Sequence, residues 1–164
     1  MLSSLIIRND SEGKGFFGAP RGSRLHYGVD YIVKENQSVL APFEGVLVRK
    51  AYPDGNDLRK EGFVFLTSNG LEFKVFYAKI NKSDVGKRFK KGDVIAKAQS
   101  VSNLYNLPNM KDHIHVEVRV NGMVENAELY LSELKKKISI INIILFDIDL
   151  IIIGLISLKK WLKS

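Results

Sequence analysis

His113-Ile114-His115-Val116-Glu117-Val118-Arg119-Val120 alternates polar with apolar residues through consecutive positions. A period of two is the signature of a strand. On one it directs Ile114, Val116, Val118 and Val120 to one face and His113, His115, Glu117 and Arg119 to the other. The stretch predicts a half-buried strand that carries two imidazoles side by side on its polar face.

Toward the N-terminus the same reading continues. Short β-rich runs occur at Ser38 to Leu40, Gly45 to Arg49, Phe63 to Thr67, Phe73 to Tyr77 and Val94 to Ala98. They and the histidine strand are bounded by turn sequences, Pro53-Asp54-Gly55-Asn56, Ser68-Asn69-Gly70, Lys91-Gly92-Asp93 and Asn121-Gly122. Short strands at this spacing without a strong helical period predict an all-β fold, an antiparallel β-sheet, sandwich or barrel. From Ser11 to Arg24 the chain is rich in glycine, which predicts a shaped loop. Gly13-x-Gly15-x-x-Gly18 matches a dinucleotide fingerprint by letter only, because no strand pattern precedes it and no helix pattern follows.

At 164 residues, 45% hydrophobic and 26% charged, the chain suits one globular domain. It has no cysteine, which excludes disulfide scaffolds, thiolate nucleophiles, iron–sulfur clusters and cysteine-based zinc fingers. The net charge of +7 is concentrated at the C-terminal end. Residues 1–134 carry 19 basic against 16 acidic groups, a distribution that argues against nucleic acid as a partner.

The three histidines all fall in two motifs, His26-Tyr27-Gly28-Val29-Asp30 and His113-Ile114-His115. Two imidazoles and one carboxylate are a ligand set that zinc accepts with a further position for water. His26 and Asp30 offer one edge of such a site and the His-x-His strand the other. An imidazole of the set that does not ligate could move a proton. Tyr27, Phe43, Tyr52 and Tyr105 are candidates either for a peptide groove or for packing against the sheet.

His26-x-x-x-Asp30 with His113-x-His115 far downstream resembles the lysostaphin and LytM type of zinc metallopeptidase, the glycyl-glycine endopeptidases that cut peptide cross-bridges in bacterial peptidoglycan. The resemblance runs from about Gly13 to Leu131. It includes Ser38-Val39-Leu40-Ala41-Pro42-Phe43-Glu44-Gly45-Val46 and Lys90-Lys91-Gly92-Asp93-Val94-Ile95-Ala96. It implies an antiparallel β fold with one Zn2+ in a groove, His26, Asp30 and His115 as its ligands, and His113 as a catalytic histidine. It also implies peptidoglycan peptides as substrate and zinc-activated water as nucleophile. The family's second catalytic histidine sits in a Tyr-x-His segment that here reads Tyr77-Ala78-Lys79. At that place Lys79 could lend charge to an oxyanion but could not accept a proton while charged. Phe76-Tyr77-Ala78-Lys79 and the Gly18-Ala19-Pro20-Arg21 loop resemble the leukocyte chemotaxin branch, regarded as zinc-binding without peptidase activity. The readings implied are a peptidase, a degraded zinc module that binds peptidoglycan or a protein partner, and a structural component of an envelope complex or phage particle.

The expected division is a peptidase-like domain at 1–131 and a hydrophobic tail at 132–164. Met1 to Arg8 lacks the basic start and apolar length of a secretory signal peptide. Asn126 is placed to cap a short helix through Leu131, and three lysines then precede an isoleucine-rich run from Ile138 to Leu158. Its fifteen Ile, Leu and Phe contribute about −7 kcal/mol to bilayer insertion, while Asp147 and Asp149 cost about 3 kcal/mol each, so the two nearly balance. The tail therefore reads as a transmembrane or homo-oligomerisation helix, and the protein as associated with a membrane, cell envelope or virion. Residues 1–134 are expected to stay in solution, whereas the full chain sediments with membranes or self-associates. A full-length monomer soluble without detergent would contradict this.

Overall fold

The computed structural model of the chain describes residues 2 and 5–132. The tail from residue 133 onward, with the transmembrane and oligomerisation readings attached to it, lies outside the described residues. In chain order the strands are β1 (Asn9–Asp10), β2 (Gly13–Lys14), β3 (Pro20–Arg21), β4 (Arg24–Leu25), β5 (Val29–Ile32), β6 (Ser38–Leu40) and β7 (Gly45–Ala51). They continue as β8 (Gly62–Thr67), β9 (Glu72–Phe76), β10 (Ala78–Lys79), β11 (Arg88–Phe89), β12 (Val94–Ala98), β13 (His113–Val120) and β14 (Met123–Glu125).

The histidine strand β13 is the organising element of a seven-stranded sheet in the order β11-β7-β8-β9-β13-β14, with β5 also joined to β13. Along one edge it pairs antiparallel with β9, from His115 opposite Phe76 to Arg119 opposite Glu72. Its other edge is shared by β5, which pairs with His113 to Val116, and β14, which pairs with Val118 to Val120. A second antiparallel sheet has the order β10-β12-β6. The β1–β2 and β3–β4 pairs form two small ribbons, so the glycine-rich opening is shaped by local hydrogen bonding, as its composition predicts.

The alternation in β13 is realised as burial. Ile114, Val116 and Val118 are fully buried in a core that also contains Phe63, Phe65, Phe73 and Val75. Phe65 lies opposite Phe73 across the β8–β9 pair, the close side-chain juxtaposition that stabilises a sheet face. The all-β antiparallel class holds; the runs beginning at Gly45 and Phe63 are extended by two residues and one residue, and the run read as Phe73 to Tyr77 is Glu72–Phe76, with Tyr77 left out of the strand.

An α-helix absent from that reading, α1 (Val101–Tyr105), stands between β12 and β13. Little more than one turn long, it shows no helical period in sequence; Ser100 marks its start, accepting from the Asn103 amide. Residues 127–132 are helical, and Asn126 Oδ1 accepts from the Glu128 amide at 3.0 Å, as the capping position predicts. Among the described residues no helix is long and apolar enough to cross a membrane. Phe65→Ala is expected to cost about 3–5 kcal/mol of stability, read from the shift in urea midpoint, because it empties a fully buried position opposite Phe73.

Candidate metal centre

The β5–β13 register sets Asp30 directly opposite His115, so a carboxylate and an imidazole project from neighbouring strands on one face. His26 enters from the loop that follows β4. Its amide donates to Ala19 O and its carbonyl accepts from Gly18, which fixes the loop against the glycine-rich opening. Gly28, between His26 and Asp30, leaves room for the His115 ring. A Cβ at that position would lie 2.5 Å from the ring's Cε1 and Nε2 atoms.

Three potential ligand atoms converge. His26 Nε2 is 2.9 Å from His115 Nδ1, His115 Nδ1 is 2.9 Å from Asp30 Oδ1, and His26 Nε2 is 3.1 Å from the same oxygen. The other nitrogen of each ring faces an acceptor: His26 Nδ1–H donates to Phe16 O at 3.0 Å, and His115 Nε2 lies 3.4 Å from Glu117 Oε1. Those partners turn His26 Nε2 and His115 Nδ1 toward Asp30, as N–H donors where the ring is protonated and as lone pairs where a cation takes the proton's place. Two lone pairs and a carboxylate oxygen at such spacing repel one another unless a proton or cation lies among them. A tetrahedral zinc site has ligand–ligand edges of roughly 3.3 Å, so the triangle needs to open only by a few tenths of an ångström. The donor set fits a metal ion, and among the described residues His26, Asp30 and His115 are the group able to hold one.

His113 is buried beside them in a different environment. Its Nδ1–H donates to Lys111 O at 2.8 Å, leaving a bare Nε2 that stands 3.8 Å from Asp30 Oδ2, beyond hydrogen-bond range. Burial lowers its pKa and outweighs the attraction of Asp30. Burial also acts to lower the pKa of His115, but the hydrogen bonds to Asp30 and Glu117 more than offset it and raise the net value. Asp30 is itself buried, which would raise its pKa, yet the hydrogen bonds from His115 and His26 hold it well below the usual carboxylate range.

The sequence-predicted residues divide accordingly. His26, Asp30, His115 and His113 are brought together; Lys79 is not. Its side chain is 68% exposed, its ammonium is 3.8 Å from Glu61, and it lines a separate depression with Glu35 and Lys97. The physical reason lies at Tyr77, whose left-handed backbone (φ 60°) breaks the strand alternation between β9 and β10. Tyr77 thereby takes the groove side, its ring edge-on to His113 at 5.4 Å and its hydroxyl 2.9 Å from that of Tyr105. Of the aromatic candidates, Tyr27 and Tyr105 line the groove, whose volume is about 300 Å³. Phe43 instead packs against Phe73. Arg8, Glu117 and Tyr77 were not anticipated as site residues. Only Glu117 carried a signal, its place on the polar face of the histidine strand.

The chain thus combines an antiparallel β fold with a His/Asp/His group able to hold a metal ion and a buried imidazole beside it. The profile of peptidase family M23 matches residues 24–127, and the chain belongs to that family. Leukocyte cell-derived chemotaxin-2 of Bos taurus is 32% identical over 116 residues, covering 70% of this chain and 74% of that protein. In fold, the chain is similar to the catalytic domain of the antimicrobial peptidase lysostaphin from Staphylococcus simulans, with a TM-score of 0.57 and 19% identity over 73% of this chain and 90% of that one. A zinc-containing peptidase from Vibrio cholerae superposes with a TM-score of 0.52 and 16% identity over 73% of this chain and 35% of that one.

Two outcomes are expected. In metal-free protein the imidazole proton resonances of His115 should titrate above 6.5 and those of His113 below it. By linkage, His115 then contributes stability that is present below 6.5 and lost as pH rises through its folded value, whereas His113 costs stability as pH falls below 6.5. Gly28→Ala, whose Cβ would also lie 2.7 Å from Val116 O, should displace the His115 ring, abolish metal uptake in equilibrium dialysis and lower the melting temperature.

Proposed function

We propose that this domain is a zinc metallopeptidase of the cell-wall type that hydrolyses peptide bonds in peptidoglycan cross-bridges or stems. The observation that carries the reading is the pairing of three convergent ligand atoms with a buried, neutral imidazole that does not belong to the triangle. His26, Asp30 and His115 would hold the ion, which supplies Lewis acidity for activating water and polarising the scissile carbonyl.

The remaining work falls to the protein's own groups. His113 Nε2, kept free because Nδ1 is committed to Lys111 O, is the atom to take a proton from the attacking water and return it to the leaving amine. Tyr27, Tyr77 and Tyr105 offer rings and hydroxyls along the groove where an extended peptide would lie. Membership in M23 and the likeness in fold to an antimicrobial peptidase support the substrate class.

The outward position of Lys79 favours a second reading, capture of a cell-wall peptide or a protein partner without cleavage, since no second imidazole or cation from the Tyr-x-His position stands by the centre. The likeness to chemotaxin-2 accords with it. Release of new amino groups from purified peptidoglycan by the zinc-loaded chain, abolished by a chelator, decides between them. For the peptidase, His113→Ala should lower the rate by about 10²–10⁴-fold with zinc still bound, whereas Asp30→Ala or His115→Ala should remove the metal. Zinc uptake with no release at any loading would select the binding reading.

A further inference from the structure

Arg8 is a buried guanidinium that neither the spacing of the histidine motifs nor the M23 match, which begins at residue 24, takes into account. Its Nε and Nη2 donate to Asp30 Oδ2 at 3.3 and 3.2 Å, and its Nη1 donates to Asp10 Oδ1 at 2.7 Å. Asp10 Oδ2 in turn accepts from the Lys111 amide at 2.9 Å, close to the start of the histidine strand. The backbone repeats the connection: the Arg8 amide donates to Asp30 O and the Gly15 amide to Arg8 O, at 2.9 and 2.8 Å. Arg21 adds a longer contact of 3.4 Å to the same Asp30 oxygen.

The two oxygens of Asp30 are therefore in separate use. Oδ2 is enclosed by guanidinium N–H groups, and Oδ1 faces the imidazoles of His26 and His115. Without such a fork the terminal torsion of an aspartate is broad, and its oxygens exchange. Resting on the metal-centre reading above, we infer that Arg8 is a positioning residue for the centre: by clamping Asp30 Oδ2 it presents Oδ1 as a single-oxygen ligand, and Asp10 ties this clamp to the strand that carries His113 and His115. The N-terminal ribbon is on this account a working part of the metal site.

Geometry and charge make opposite contributions here. A cation beside a ligating carboxylate weakens it as a donor, while a fixed carboxylate binds with less ordering cost. Arg8→Lys separates the two, because it retains the buried charge and loses the fork. Arg8→Met combined with Asp10→Asn removes the clamp and its Asp10 counter-charge together, so that Asp10 is not left unpaired, while Arg21 and the imidazoles remain as partners of the buried Asp30 carboxylate. Zinc affinity of the full chain, measured by competition with a chromophoric chelator, should fall about 10–100-fold in both variants. After Co2+ substitution the visible bands should lose intensity as Asp30 becomes free to offer both oxygens and the coordination number rises. A role for Arg8 in stability alone would leave the cobalt spectrum of the folded variant unchanged. Folded variants that bind zinc within about twofold of the parent, with the parent's cobalt spectrum, overturn the inference and leave the zinc reading standing. A parent chain that takes up no zinc overturns both.

Discussion

The carboxylate of Asp30 is the group on which the rest of this structure depends. It is 3% exposed, and a carboxylate so removed from water is tolerated only where cations and N–H donors surround it. Two imidazoles approach one oxygen and two guanidiniums the other, drawn from the N-terminal ribbons, the loop before β5 and the central strand β13. Each of these segments is short, and several are two-residue strands with little stability of their own. Electrostatic demand at a single buried oxygen pair gives them a common anchor, and in doing so it brings together the three side chains able to hold a metal ion.

The central strand shows how neighbours assign chemistry to identical side chains. His113 and His115 share a face and a residue type, and spacing alone makes them equivalent. Their difference comes from what stands beside each ring. Lys111 O occupies Nδ1 of His113, whereas Glu117 faces Nε2 of His115, so the first ring presents Nε2 and the second presents Nδ1 to the Asp30 side. Burial then keeps His113 neutral, while Asp30 and Glu117 favour positive charge on His115. A neutral base adjacent to a cation-seeking triangle is an arrangement suited to hydrolysis, and M23 membership accords with it.

The fold was legible because it follows from local rules. Eight-residue alternation in β13, short β-rich runs and turn sequences such as Asn121-Gly122 each specify strand or turn without distant information. His26, Asp30, His113 and His115 were named for a different reason: the only histidines fall in two short motifs, and the resemblance to a zinc metallopeptidase family implied that the two meet. Lys79 was named by its correspondence with a Tyr-x-His segment, and its outward direction was not legible because it follows one left-handed residue, Tyr77. Helix α1 escaped because about one turn of helix carries no readable period.

What the sequence by itself determined is the class of fold, the strand that organises it and the residue types that converge, since these depend on periodicity, turn chemistry and composition. Which nitrogen of each imidazole is free, which Asp30 oxygen faces the centre, and that Arg8 joins the site while Lys79 leaves it were decided only by the tertiary structure. The physical reason is that hydrogen-bond partners and burial are set by register and chain crossing. Arg8 and Asp30 are 22 positions apart, and His26 and His115 are 89 apart, and no local pattern carries the distance between such atoms.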